Sequence, residues 1–301
     1  MRLDRIIAER GQTLSFEFFP AKTPKAQAAF EATVTTLAEL GPDCMTVTYG
    51  AGGGTRAFTL EALRFIAQQV GLPVVSHLTC VGSTRAELRA LFDDYHAAGV
   101  HNFLALRGDP PKGQSDWQPT PGGCLYASEL IELIREDGRF GIACAAFPEG
   151  HPESASREQD WQNLANKFSA GASMAMTQAF FDARYYRDML SWFDQHTGSI
   201  PHIVPGIMPL PSWTWAVDFV ERFCPNTTLP ESLRDALAPL DDDAEASAAA
   251  GLEYVIDLCR DLLEAGAPGL HLYTMNKPES VTAIVTRLRQ EGLLQQAAAA
   301  S

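Results

Sequence analysis

Short apolar runs recur along the chain, and each is followed by a longer stretch whose apolar positions take a helical spacing. The runs fall at residues 13–19, 44–48, 74–78, 102–107, 141–146, 173–179, 202–207 and 270–274, and they read as buried strands. The stretches between them carry helix punctuation. Thr23-Pro24 reads as an N-cap with Pro at the first helical position, and Thr84 with Glu87 and Ser156 with Gln159 read as capping boxes. Gly41, Gly71, Gly99, Gly138 and Gly171 stand where helices should end. About eight such units in 301 residues predict an α/β fold, a single (β/α)8 TIM barrel. A doubly wound open sheet is the alternative that alternation alone leaves open. The interval from 207 to 270 exceeds one crossover and predicts an extra helix at 230–238 before a long one at 243–265. Without a linker or a break in composition, residues 1–296 are expected to form one domain and 297–301 a frayed tail.

The first run contains an acid. Glu17 lies in L-S-F-E-F-F-P, residues 14–20, and a carboxylate among bulky apolar neighbours is costly unless paired, protonated or used. Burial raises a glutamate's pKa toward neutrality, which suits a general acid; a salt-bridged Glu at the strand mouth is the other reading. Barrel enzymes carry their chemistry at the C-terminal ends of the strands. Those ends hold Glu17, Thr48-Tyr49-Gly50, His77, Arg107-Gly108-Asp109, Phe147 to His151, Gln178 and Tyr273 to Lys277. So many polar residues converging on one face predict a site there.

Charge and composition narrow what that site serves. A formal charge of −14 argues against nucleic acid or an anionic membrane as partner, so any anionic ligand needs local cations and helix N-termini. The chain is 46% hydrophobic without a run long enough to span a bilayer, and residues 1–12 lack the apolar core of a signal peptide; a cytoplasmic protein is expected. The six cysteines lie far apart without a C-x-x-C pair, so buried reduced thiols are expected and no metal. Asp241-Asp242-Asp243 could be read as a metal cluster, but acids also suit a helix N-terminus. The Gly-rich stretch from Gly50 to Arg56 lacks the full G-x-G-x-x-G spacing of a dinucleotide loop, and reads better as backbone approaching a flat ligand. The loop opened by Arg107-Gly108-Asp109-Pro110-Pro111 could equally be an ordinary Pro-rich loop. His96, His101, His196 and His202 read as surface or structural residues. Trp213 and Trp215 could be core or could wall an aromatic ligand.

Taken together these motifs resemble the methylenetetrahydrofolate reductases of the bacterial type. The likeness covers most of the chain: S-F-E-F-F-P at 15–20, V-T-Y-G-A-G-G at 47–53, H-L-T-C at 77–80, A-L-R-G-D at 105–109 and Y-A-S at 126–128. It continues through F-P-E-G-H-P-E at 147–153, T-Q-A-F-F-D at 177–182, P-G-I-M-P at 205–209 and L-Y-T-M-N at 272–276. The resemblance implies a barrel carrying FAD, reduced by NADH or NADPH, that passes a hydride to methylenetetrahydrofolate to give methyltetrahydrofolate. It implies Glu17 as the general acid that opens the folate's five-membered ring, and Asp109 as the acid beside flavin and pterin. Gln178 matches the amide facing the pterin and Phe219 a ring on the folate's aromatic part, with Trp215, Tyr273 and Lys277 completing the substrate set. Thr48, Tyr49, Ala51, His77, Arg107, Gly108, Ala127, Phe147, His151, Asp160, Asn163 and Lys167 match the flavin-binding set. Asn166 belongs there too, in place of a basic residue that some relatives set beside the diphosphate. Trp215 and Lys277 stand where relatives often have Gln and Arg, and Lys lacks the bidentate fork of Arg. A homo-oligomer is expected. The competing readings are another flavin barrel oxidoreductase, such as one acting on proline-like amines, and a folate- or flavin-binding subunit that needs a partner for electron delivery.

Overall fold

In the computed structural model, which describes residues 1–49, 56–108 and 120–295, every expected apolar run becomes a strand of one parallel sheet. The strands are β1 Thr13–Phe18, β2 Cys44–Val47, β3 Val74–Thr79, β4 Asn102–Leu106, β5 Gly141–Ala146, β6 Met174–Thr177 and, last, β9 Gly269–Tyr273. The run expected at 202–207 is broken into β7, Ile203–Val204, and β8, Gly206–Ile207. Pro205 between them has no N–H to give to a ladder, so the segment changes partners at that residue. Thus β7 pairs with β6 and β8 with β9, and the two ends of the sheet meet through one short segment. A nearly closed barrel results, as the strand count predicted. Gly206 is required there: a Cβ would lie 2.2 Å from the Thr177 carbonyl oxygen and 2.8 Å from the Tyr273 hydroxyl.

Register sorts the side chains into inside and outside. Glu17 pairs with Thr46 and Tyr273, Ser15 with Cys44 and His271, and His77 with Leu104, so these face the barrel interior together. Below them Cys44, Val75, Leu104, Ala143, Met174, Met176 and Val204 form an apolar plug. It is closed by Leu3 and Ile6 of α1, Leu3–Arg10, a helix that the mixed charge of residues 1–12 had hidden. Asn102 ties α1 in place, accepting from Leu3 N at 2.7 Å and donating to the Met1 and Val74 carbonyls. The outward-facing Phe16, Phe18, Met45 and Val47 join the larger core beneath the helices.

Those helices are α2 Pro24–Ala38, α3 Arg56–Arg64 (continued by a π-helical turn, Phe65–Val70), α4 Arg85–Ala97, α5 Ala127–Asp137, α6 Arg157–Ala170 and α7 Ala183–Thr197. Then come α8 Trp213–Phe223, α9 Glu231–Leu237, α10 Ala244–Glu264 and α11 Pro278–Gln290. Thr23 caps α2, and Thr84 and Glu87 form a full capping box on α4. On α6 Ser156 accepts from Gln159 N, but the Gln159 amide turns to Asn163 instead of back, so only half the expected box forms. The long interval before β9 therefore holds α8 as well as the expected extra helix. Two of the aspartates of 241–243 serve these helices. Asp241 accepts from Trp213 N and Thr214 N at the start of α8, and Asp243 caps α10. Among the described residues no helix is long and apolar enough to cross a membrane.

Candidate active site at the barrel mouth

Glu17, on the inner face of β1, is 9% exposed, and its Oε2 is approached from two sides. His271 Nε2 of β9 lies 3.3 Å away, and Ser15 Oγ hydrogen-bonds with His271 Nδ1 at 2.8 Å. With Glu17 ionised, the His271 ring nitrogen that faces it is the donor, and Ser15 holds the other side of the ring. His77 Nε2 of β3 lies 3.3 Å from the same Oε2, but without hydrogen-bonding alignment, so this buried nitrogen has no hydrogen-bond partner among the described residues. The pKa expectation is corrected here. Burial pushes the Glu17 carboxyl up, but the charge of the His77 imidazole, with the hydrogen bond and charge of His271, outweighs it and holds the carboxyl at about 2. Glu17 is thus buried and paired, the second of the two readings that its neighbours allowed.

The L-Y-T-M-N segment locks the end of β1 over this cluster. Thr274 donates through both its N–H and Oγ1 to the Glu17 carbonyl, at 3.1 and 2.6 Å. Asn276 then brackets Phe19, accepting from its N–H and donating to its carbonyl, each at 2.9 Å. Met275 and Asn276 reach this position at φ of 50° and 55°, the left-handed region that non-Gly residues seldom occupy. Strain held by such a hydrogen-bonded bracket is typical of functional loops. Tyr273 reaches across the Gly206 segment and donates to the Thr177 carbonyl of β6 at 2.8 Å. Next to Thr177, Gln178 uses its side-chain carbonyl to accept from Ala179 N, so its NH2 is what it offers a ligand.

A second group of residues gathers around the ends of β4 and β5 and the face of α6. Arg107 makes a two-pronged ion pair with Glu153, its Nη2 donating to Oε1 at 2.8 Å. His151 accepts from Glu153 N, packs edge-on against Phe147 at 4.9 Å, and is lowered in pKa by burial and by the charge of Arg107. Lys167 reaches back from α6 to the Ala145 carbonyl at 2.8 Å, and Asp160, buried on the same helix, accepts from Ser154 Oγ. Asp160, Asn163 and Lys167 share one helix face by their spacing, with Asn166 exposed beside them. The two cations could hold a diphosphate. Gly108 turns out of β4 at φ 85°, where a Cβ would lie 2.8 Å from Val81 Cγ2. Ala127 begins α5, and Thr48 and Tyr49 follow β2.

Trp215 and Phe219 stack at 5.1 Å with 9° between their planes on α8, and Lys277 is the exposed residue preceding α11. Ala51 and Asp109, and the expected frayed tail, lie outside the described residues. The other histidines are structural: His196 stacks on Trp192, His96 packs on His101, and His202 lies 3.4 Å from Thr13 Oγ1. His271 and Ser15 went unread as site residues. Their signal was the two-residue alternation of L-H-L-Y, which puts His271 on the same face as Tyr273.

A family model described as methylenetetrahydrofolate reductase matches residues 2–289. The 5,10-methylenetetrahydrofolate reductase of Escherichia coli (strain K12) is 36% identical over 286 residues, covering 94% of this chain and 93% of that protein. Methylenetetrahydrofolate reductase (NADH) 1 of Arabidopsis thaliana is 34% identical over 94% of this chain and 49% of its own length. Among solved structures, a Clostridium thermocellum protein described as binding two copies of 5-methyl-5,6,7,8-tetrahydrofolic acid superposes with a TM-score of 0.63 at 15% identity. It covers 95% of this chain and 97% of its own, a likeness of fold.

Proposed function

The chain belongs to the methylenetetrahydrofolate reductase family, and on that premise we propose that it holds FAD and reduces 5,10-methylenetetrahydrofolate to 5-methyltetrahydrofolate. NADH or NADPH is the reductant, and nucleotide and folate use the same site in turn. The ligand class is that named for the Clostridium thermocellum barrel, a reduced folate. The observation that carries the reading is the buried Glu17 carboxylate at the barrel mouth with imidazole nitrogens 3.3 Å away on two sides.

The residues present fit a flavin dinucleotide. His77 Nε2 is buried and, beyond its 3.3 Å ion-pair contact with Glu17, has no hydrogen-bond partner among the described residues, which leaves it able to meet a ligand. The Gly108 turn brings backbone where a side chain would clash, and Arg107 and Lys167 supply positive charge in a chain of net charge −14. In this reading Thr48, Tyr49, His77, Arg107, Gly108, Ala127, Phe147, His151, Asp160, Asn163, Asn166 and Lys167 hold the cofactor, together with Ala51 and Asp109. Bound FAD supplies the two-electron carrier between nicotinamide and folate.

The chain's own task is positioning and the proton. Opening the folate's imidazolidine ring requires protonation of a weakly basic nitrogen. In this reading Glu17 passes that proton to the folate nitrogen, relayed from the imidazoles of His77 and His271, each 3.3 Å from its Oε2. Ser15 and the Thr274–Asn276 bracket hold this group in place. Gln178 offers its NH2 to the pterin, Phe219 and Trp215 offer a flat aromatic wall, and Lys277 meets the negative end of a folate or nucleotide. The test is anaerobic. Protein reconstituted with FAD should be bleached by NADH or NADPH, and methylenetetrahydrofolate should restore the colour and yield methyltetrahydrofolate. Flavin uptake without folate turnover would overturn the reading.

A further inference from the structure

The helix that carries the Trp215–Phe219 stack is held at both ends by a carboxylate from another segment. At its start Asp241 accepts from Trp213 N at 2.8 Å and from Thr214 N at 3.0 Å. Past its end the chain turns, with Thr227 N donating to the Cys224 carbonyl at 2.8 Å, and the next amide, Thr228 N, donates to Glu149 Oε2 at 2.9 Å. Glu149 comes from the loop between β5 and α6, two residues after Phe147 and two before His151. The inner face of α8 gives Ala216, Phe219 and Val220 to the core, but otherwise the helix packs chiefly on α9. Where its aromatic stack stands therefore depends on these two clasps.

The loop that supplies Glu149 is a firm anchor. Trp161 Nε1 and Gly150 N both donate to the Phe147 carbonyl, at 3.2 and 3.0 Å. Gly150 turns at φ 83°, where a Cβ would lie 3.2 Å from Arg157 Cα. The segment after α8 is stitched to this loop and to its neighbours. Asn226 Nδ2 donates to the Gly150 carbonyl at 3.5 Å, Thr227 Oγ1 to the Ala179 carbonyl next to Gln178 at 3.1 Å, and Thr228 Oγ1 accepts from Tyr185 at 3.2 Å. The other oxygen of Glu149, Oε1, is buried without a hydrogen-bond partner among the described residues. Such an oxygen costs stability, so the clasp is better explained by what it positions than by what it stabilises.

We propose that Glu149 is a positioning residue for the substrate: by fastening the end of α8 to the loop of Phe147 and His151, it sets where the Trp215–Phe219 stack stands against that loop, and with it the affinity for folate. The hydrogen bond to Thr228 N does this, and the charge of the carboxylate is not needed for it. The folate part rests on the function proposed above; the fastening of α8 does not.

Two conservative variants separate the hydrogen bond from the charge. Glu149→Asp keeps the charge but draws the acceptor back by one methylene, and Glu149→Gln keeps an acceptor oxygen at the same reach without the charge. In Glu149→Asp the amides of residues 213–228 should exchange with deuterium about 5-fold faster, and those of β5 at the parent rate. The FAD-loaded Glu149→Asp protein should show a KM for methylenetetrahydrofolate raised about 5-fold, with kcat and bleaching by NADH close to the parent's. Glu149→Gln should match the parent in both measurements. Exchange at the parent rate in Glu149→Asp, an unchanged KM beside faster exchange, or a Glu149→Gln as impaired as Glu149→Asp would each overturn the proposal. A parent protein that takes up FAD but turns over no folate would remove the function proposed above and the folate part with it, while the exchange result still decides whether Glu149 fastens α8.

Discussion

His271 Nε2 and Glu17 Oε2 lie 3.3 Å apart inside the barrel, although 254 residues separate them along the chain. That contact acts together with the charge of His77, the larger influence on the same carboxyl, against what the local sequence favours. The stretch around Glu17 is apolar and would favour a protonated acid; the imidazoles arriving from β3 and β9 favour the ionised one.

Removing His271 should reverse that balance. His271→Leu deletes a donor and a charge while leaving the burial of Glu17 nearly intact. The carboxyl should then move up from about 2, since desolvation acts with less opposition. Isotope-edited infrared titration of the Glu17 carboxyl band measures this directly. A band that titrates as in the parent would show that His271 has no part in it.

His202 sets a separate pH dependence, one of stability. Burial lowers its pKa from 6.5 to about 4. Between those values the unfolded chain binds a proton that the folded chain does not, so stability falls as pH drops through that window. The contribution is fully present above pH 6.5 and is lost toward pH 4. At about 1.4 kcal/mol per unit the ceiling is roughly 3 kcal/mol. His202→Gln should flatten the dependence of Tm on pH over this range. An unchanged slope would remove His202 as its source.

The strand ends made most of the site legible in the sequence, because period-two alternation and the barrel rule together say which residues face the mouth. What escaped has physical causes. The charge state of Glu17 depends on long-range neighbours that no local pattern encodes. Helix α8 is rich in Trp, Phe, Val and Thr, poor helix formers, and it exists because Ser212 caps it and its apolar face packs into the core. The break in the strand at Pro205 follows from a missing N–H, yet closing the barrel through it needs partners on both sides that only the fold supplies.

Gly206 should tolerate no side chain. In Gly206→Ala the new methyl would meet the Thr177 carbonyl oxygen, which also accepts from Tyr273, so either β8 shifts or that hydrogen bond breaks. Overpacking of this kind against backbone costs about 1–3 kcal/mol or more. Thermal unfolding should show a clear loss of Tm, and folate affinity should weaken along with it as Tyr273 moves. A variant as stable as the parent would mean that β8 and the Thr177 carbonyl can part without loosening the barrel.

Glu17→Gln separates the acid role from the structural one. Gln keeps the shape and can still pair with His271, but it carries no transferable proton. Oxidation of NADH or NADPH by the FAD-loaded protein calls for no proton from this position, so its rate should be nearly unchanged. The step that consumes methylenetetrahydrofolate needs the ring-opening proton and should slow by roughly 10²–10⁴-fold, the usual contribution of a positioned acid. Anaerobic stopped-flow measures the two steps separately, and flavin affinity is read in the same preparation. Equal slowing of both would assign Glu17 to holding β1 and its histidine partners in place. A folate step at the parent rate would end its candidacy as the acid and turn attention to the imidazoles of His77 and His271, the proton carriers that remain within 3.3 Å of its carboxylate oxygen.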